Sequence, residues 1–261
     1  MRDVIVHYHI FKNVGISIDA CLSNSFGPGW HNYDVHEDWA NITSDQLYEH
    51  LTEYPGLRAL SSHQARWPEP TRHALQAHPI VFLRHPIDRI GSMYSFAIYR
   101  GEPFAEGKTF AQYVDQLLEP ATGFVARSAQ TLFLSDDEHL TKPPGRATEV
   151  STAHFTQAVS RLESLSAFGM VERFSESVAL LARLLTPAFP DLVLVPRHQN
   201  LSLGRQENLA DRLSGIRDTL GESRYRRLLN ANEADMELWR QGDRIFDAKV
   251  RCGESMMAPD S

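Results

Sequence analysis

Cysteine, lysine and long apolar runs are all scarce in this 261-residue chain, and each shortage removes a class of protein. Two cysteines, Cys21 and Cys252, are too few for a disulfide framework and too far apart to found a structural zinc site without histidines. No apolar run reaches the ~18–20 residues of a membrane-spanning helix. The start, MRDVIVHYH, has no signal-peptide pattern, so a cytoplasmic protein with no membrane partner is expected. Positive charge is short as well. The 26 Lys and Arg stand against 33 Asp and Glu, a formal charge of -7, which argues against a nucleic-acid partner or an anionic membrane surface. Basic groups must therefore be concentrated locally if the ligand is an anion. Only Lys12, Lys108, Lys142 and Lys249 are lysines, so a lysine in a loop before a helix stands out.

What is present is an alternation of strand-like and helix-like segments, with no internal repeat or low-complexity tract. Val4–Ile10 reads as the first strand, running into a helix at Gly15–Leu22. Leu57–Ser62 and Ile80–Leu83 read as further strands, the latter bounded by Pro79 and Pro86, with helices over Ser44–Glu53 and Ile87–Tyr99. Later helices are expected over Phe110–Leu118, Ser151–Leu165, Ser175–Leu185 (with Ser175 as N-cap), Glu207–Leu220 and Glu222–Val250. Strands are expected at Ala167–Glu172 and Leu192–Val195. Residues 119–148 are rich in Pro and Gly and weak in periodicity, and read as a mobile substrate lid. The expected architecture is one α/β domain over 1–261, with a mainly parallel sheet covered by helices and extra C-terminal helices over 206–250.

Two segments carry the functional signal: HYHIFKNVGISI at His7–Ile18 and HPIVFLRHPIDRIGSMYSF at His78–Phe96. In each, an apolar strand ends in a polar turn that enters a helix, and each pairs a cation with a hydroxyl: Lys12 with Ser17, and Arg84 with Ser92. A helix N-terminus offers N–H groups and a favourable dipole to an anion, so two such turns suit a ligand with anionic groups at two places. The first turn is not G-x-x-x-x-G-K-[ST], because Lys12 precedes Gly15. The second strand ends in Arg84, where a magnesium-nucleotide enzyme needs an aspartate. An arginine there repels a metal and invites the anion itself. Kinase-like phosphotransfer is thereby the weaker reading.

His9-Ile10-Phe11-Lys12-Asn13-Val14-Gly15-Ile16-Ser17-Ile18 resembles the H-I-P-K-x-x-G-T-S-[IL] loop of sulfotransferases that use 3′-phosphoadenosine 5′-phosphosulfate (PAPS). Leu83-Arg84-His85-Pro86-Ile87-Asp88-Arg89 through Ser92 and Tyr94 resembles that family's L-R-[DN]-P-x-[DE]-R-x-x-S-x-Y segment. Residues 168–174, 197–202 and 232–239 are similar to later blocks of its carbohydrate-type members. The resemblance implies a P-loop-like α/β fold, PAPS as co-substrate, 3′,5′-ADP as product, and no required metal. It implies that Lys12, Asn13, Gly15, Ile16, Ser17 and Ile18 cradle the 5′-phosphosulfate and that Arg84 and Ser92 clamp the 3′-phosphate, with Arg197 added from a late loop. Three positions depart from the pattern: Phe11 for proline, Ile16 for a hydroxyl residue, and His85 for an acidic residue.

The implied reaction transfers a sulfuryl group to a hydroxyl of a carbohydrate or small-molecule acceptor. Lys12 would meet the charge on the leaving phosphate. His63, after the short strand ending at Ser62, is the candidate base, since an imidazole titrates near neutral pH. Arg66, Trp67 and Tyr94 are candidate acceptor-side residues, with burial in the core as the competing reading; Arg89 is left out of the core site. His7 and His9, which alternate onto one strand face, are the runner-up for the base; as a metal pair they lack a third ligand in the sequence, and His9 is expected to fix the loop by hydrogen bonding. A non-catalytic nucleotide-binding protein is the remaining alternative.

Overall fold

The computed structural model of the chain describes residues 1–35, 41–72, 74–119, 126–135, 149–195 and 208–255. Among these, five strands form one all-parallel sheet in the order β2-β3-β1-β4-β5. They are β1 (Arg2–Tyr8), β2 (Trp30–Asn32), β3 (Ala59–Ser62), β4 (Leu75–Leu83) and β5 (Gly169–Met170). The helices are α1 (Gly15–Phe26), α2 (Ser44–Glu53), α3 (Pro86–Arg100), α4 (Phe110–Leu117), α5 (Ala129–Leu134), α6 (Thr152–Ser164), α7 (Phe174–Leu185), α8 (Leu209–Ala231) and α9 (Glu233–Ser255). The α/β class, the parallel sheet and the C-terminal helices agree with the sequence reading. No helix among the described residues is long and apolar enough to cross a membrane.

The central strands are apolar because helices cover both faces: Val4, Ile5 and Val6 of β1, and Ile80, Val81, Phe82 and Leu83 of β4, are buried in one core with Ile18, Leu22, Phe168, Leu181 and Leu238. A second cluster forms where α3, α4 and α8 meet, around Ile87, Ile90, Met93, Val114, Leu117, Leu220 and Leu228. The C-terminal helices are thus packed onto the sheet-covering layer through their own apolar contacts.

Several elements differ from expectation. β4 begins at Leu75 and runs through Pro79, which pairs in register with Val6. Among the described residues its other neighbour, β5, pairs only at Phe82 and Leu83, so the proline has no strand beside it on that side and its missing N–H breaks no ladder there. β2 arises in a stretch with no strand pattern, and Leu192–Val195 forms no strand. The helix expected to start at Ser175 starts at Phe174, with Arg173 rather than Ser175 at the N-cap. The break expected at Gly221 is a kink inside α8, where that glycine has φ 71°, and the chain separates again at Asn232.

The expected lid is also corrected in part. Residues 120–125 and 136–148 lie outside the described residues, but 126–135 hold a buried helix. The start of α9 caps it: Asp235 accepts from the Gln130 and Thr131 N–H groups (3.0 and 2.7 Å) and from Thr131 Oγ1 (2.7 Å). Asn232 Oδ1 accepts from the Ser128 N–H at 3.2 Å. This is an N-cap supplied from 100 residues downstream rather than by the preceding residue. Capped in this way, Gln130 reaches the site. Its Oε1 accepts from the Arg84 N–H (2.9 Å) and Asn13 Nδ2 (2.8 Å), while its Nε2 donates to the Arg84 carbonyl (2.8 Å). Gln130→Ala strands three buried polar groups and is expected to cost about 3 kcal/mol, at about 1–3 kcal/mol per unsatisfied group less what relaxation recovers. Urea unfolding measures it, and a loss below about 0.5 kcal/mol would show that the bridge is dispensable.

Candidate functional site

In an open parallel sheet, ligands bind beyond the carboxyl ends of the strands where neighbouring connections leave in opposite directions. Here β1 leads through α1 toward β2 on one side, while β4 leads toward β5 on the other. The crevice between the ends of β1 and β4 is therefore the switch point, and it holds the loop after Tyr8 and the turn at Arg84.

The β1–α1 loop is held in an uncommon shape. Lys12 and Val14 both have left-handed backbone, with φ 66° and 57°. For a β-branched residue such as Val14 that conformation costs on the order of 1–3 kcal/mol and must be enforced by its surroundings. The enforcement is visible. Arg89 Nη1 donates to the Phe11 carbonyl (3.2 Å), Arg84 Nη1 donates to the Lys12 carbonyl (2.7 Å), and Asn13 Nδ2 donates to the Phe82 carbonyl (2.6 Å). With the Phe11 and Lys12 carbonyls drawn inward and Asn13 tied to β4, the loop passes into the first turn of α1, whose Gly15 and Ile16 amides lack intrahelical acceptors by helix geometry.

The sequence-predicted residues separate into groups. Lys12 is half-buried, its Nζ over the Phe96 ring at 4.0 Å and near the Phe11 ring at 5.9 Å. Ile16 is 45 % exposed. Asn13 is a correction: its N–H bonds the Ile10 carbonyl at 3.0 Å and its side chain is buried, so it braces the loop instead of facing a ligand. Ile18 has a fully buried side chain, and its N–H is turned to the Val14 carbonyl at 3.4 Å. Ser17 is buried too, and its N–H bonds the Val14 carbonyl at 2.9 Å. Gly15 is required by close approach, because a Cβ there would lie 1.6 Å from His9 Nε2.

Arg84 stands at the end of β4 as expected, but only 3 % exposed. Its Nε donates to Asp88 Oδ2 at 2.9 Å and its Nη2 lies 2.8 Å from the same oxygen, so the ion pair that competes with a phosphate role is formed. Asp88 is bonded as well by Arg212 Nε from α8, at 2.7 Å, so two guanidinium groups meet one carboxylate at the first turn of α3. Ser92 is half-buried on the same helix. Arg89 is fully buried rather than solvated, and burial pulls it down to about 10. Arg197 lies outside the described residues.

The acceptor-side candidates are engaged in packing and hydrogen bonds. Trp67 is buried and stacked on Tyr8 at 3.9 Å. Arg66 donates to the His63 and Ala65 carbonyls and lies over the Phe133 ring. Tyr94 packs on Phe110 and Tyr113, and its hydroxyl donates to the Lys108 carbonyl at 2.8 Å.

His63 is placed as the sequence reading requires, at the end of β3 beside the end of β1. Its side chain is 39 % exposed. Asp34, just past β2, orients it: Oδ2 is 3.1 Å from His63 Nδ1, while Oδ1 accepts from the His63 N–H (2.9 Å) and Ser62 Oγ (2.8 Å). Among the described residues Nε2 has no partner, so the orientation presents that nitrogen outward. Nothing in the sequence around Asp34 marked it, since its partner is 29 positions away. Burial raises Asp34, but the hydrogen bonds from His63 and Ser62 outweigh it and hold the carboxyl below its usual range. A depressed carboxylate contributes stability above its unfolded value, near 3.9, and loses it as pH falls through the folded value. The acid-limb loss of stability is therefore expected to be smaller in Asp34→Asn than in the unaltered protein, as denaturant unfolding between about pH 5 and pH 3 would read. Equal acid limbs would contradict the pairing.

Behind His63 lies a second cluster. His7 Nδ1 is 2.8 Å from Asp19 Oδ1 and His9 Nδ1 is 3.3 Å from Asp19 Oδ2. The His9 ring lies between His7, on which it stacks at 5.1 Å, and His63, which meets it tilted at 3.8 Å. Burial pushes His9 down to about 4 against the Asp19 hydrogen bond. Burial also raises Asp19, but its bonds from His7 and His9 hold it far below the usual carboxylate range.

The fold and site thus define an α/β protein whose candidate site gathers Asp34, His63, the Lys12 loop and Arg84 at the ends of four adjacent strands. The chain is 29% identical over 259 residues to an uncharacterized protein of Archaeoglobus fulgidus, a match covering 91% of this chain and 95% of that one. No family model matches the chain.

Proposed function

We propose that the chain is a sulfotransferase that moves the sulfuryl group of PAPS to a hydroxyl of a carbohydrate or small-molecule acceptor and releases 3′,5′-ADP. The observation that carries this reading is one juxtaposition. A half-buried lysine on an arginine-braced loop and a histidine oriented by a carboxylate stand at the ends of adjacent strands. In the reaction the acceptor oxygen bonds sulfur as the bond from sulfur to the 5′-phosphate oxygen breaks. His63 Nε2 takes the acceptor proton, and Lys12 meets the charge growing on the departing phosphate. The first turn of α3, where Arg84 and Arg212 share Asp88, supplies the cations for the 3′-phosphate.

A non-catalytic nucleotide-binding protein is favoured by one observation, the engagement of Arg84 with Asp88, which a phosphate must displace. Calorimetry and a transfer assay decide between the readings. 3′,5′-ADP is expected to bind without added magnesium and more tightly than 5′-ADP, and sulfate label from PAPS is expected to move to a hydroxyl acceptor. Binding without transfer to any acceptor in a carbohydrate and phenol panel favours the binding protein. Magnesium-dependent ATP binding with none of 3′,5′-ADP overturns both.

A further inference from the structure

His7 lies on β1 and His9 one residue past its end, two positions on, and the two rings stack on one side of the chain. α1 crosses that face and brings in Asp19, one turn from its start. The third ligand that the sequence does not supply to the histidine pair is thus supplied by the fold. The ligand atoms of His7, His9 and Asp19 all lie within 4.8 Å of one another.

We propose that His7, His9 and Asp19 form a binding site for one divalent transition-metal ion of the zinc class, which staples the end of β1 to α1 across the intervening loop. Two imidazoles and a carboxylate are the donor set that such ions accept, and nitrogen donors disfavour magnesium and calcium. Bonds of about 2.0–2.1 Å around a tetrahedral ion place ligand atoms about 3.3 Å apart. His9 Nδ1 and Asp19 Oδ2 are already at 3.3 Å, and His7 Nδ1 lies 2.8 Å from the other carboxylate oxygen, Oδ1; the ligand atoms as a set, within 4.8 Å of one another, draw together around the ion. Ligation moves the Nδ1 proton of each ring to Nε2, so the ion takes the position between carboxylate and ring nitrogens that those protons otherwise hold. Ser61 Oγ, 3.2 Å from His7 Nδ1, is a further oxygen at the site.

Two features argue that the site is built rather than incidental. His9 cannot swing away, since Gly15 and the rings of His7 and His63 pack against it. The partners of the Asp19 carboxylate among the described residues are imidazoles, not a lysine or arginine, and a largely buried carboxylate is balanced by a cation. The inference does not rest on sulfuryl transfer.

The test uses the full chain, treated with a chelator and titrated with Co2+. One equivalent is expected to bind, with the strong visible absorption of a four- or five-coordinate ion, and Zn2+ should displace it and raise the unfolding temperature. Asp19→Asn, which preserves size and one oxygen, is expected to weaken binding by about 100-fold or more. His50→Gln removes the half-buried His31–His50 pair, whose ring nitrogens are 3.5 Å apart, and should leave binding unchanged. Absence of a saturable equivalent, a six-coordinate spectrum, or loss of binding in His50→Gln but not Asp19→Asn overturns the site. If Asp19→Asn does not fold, the unaltered protein still decides. Its cobalt form should show two paramagnetically shifted imidazole N–H protons, and finding none overturns the proposal.

Discussion

Gly15→Ala is expected to cost about 3 kcal/mol or more, the range of severe overpacking combined with broken buried hydrogen bonds. The added Cβ would lie 1.6 Å from His9 Nε2 and within 2.1 Å of two ring carbons. Such a clash is cheap when a flexible side chain can turn aside. His9 cannot, because it is buried, held between the rings of His7 and His63, and paired with Asp19. Either the ring moves and abandons the Asp19 carboxylate, or α1 shifts and carries with it the loop that Arg84 and Arg89 hold. Denaturant unfolding reads the cost, and a double-mutant cycle assigns its cause. In a His9→Ala background the same Gly15→Ala change should cost far less, since the obstructing ring is gone. A Gly15→Ala protein within about 0.5 kcal/mol of the unaltered one would mean that the packing of loop on strand is wrong.

Lys12→Met is expected to lower turnover by about 10²–10³-fold while leaving the fold nearly untouched, because a charge aimed at the leaving group acts chiefly in the transition state. Lys12 is positioned by backbone on one side and aromatics on the other. Its carbonyl is bound by Arg84, and its ammonium lies over Phe96. Methionine keeps an unbranched stem that can cover the same ring, so the stability change should stay near the 0.5–1 kcal/mol of an exposed cation–π contact, about as much as the experiment resolves. Affinity for 3′,5′-ADP should fall less than turnover does, since the product lacks the developing charge. Steady-state transfer and calorimetry on the same preparation separate the two effects. Turnover unchanged in Lys12→Met would remove this residue from the mechanism, and equal losses in affinity and turnover would make it a ground-state binding group.

Local pattern made most of the secondary structure legible. The apolar runs of β1 and β4, the alternation with helices and the turn glycines each follow from contacts within a few residues. Lys12, Arg84 and His63 were legible for the same reason, since each sits where a strand pattern stops. Asp34, Gln130 and Asp19 were not. Asp34 meets His63 across 29 positions, Gln130 meets Asn13 across 117, and Asp19 joins His7 only because α1 folds back over β1. Pro79 misled for a related reason: whether a proline ends a strand depends on which side of it lacks a neighbour.

The sequence by itself determined the class of fold and the three strand ends at which a cation or imidazole would appear, because periodicity and turn chemistry are short-range. The tertiary structure alone decided what those groups do there. It turned Asn13 and Ile18 inward, engaged Arg84 with Asp88, gave His63 an orienting carboxylate and gave the His7–His9 pair a third ligand. Those outcomes depend on strand order and helix packing, which bring together residues that no local pattern relates.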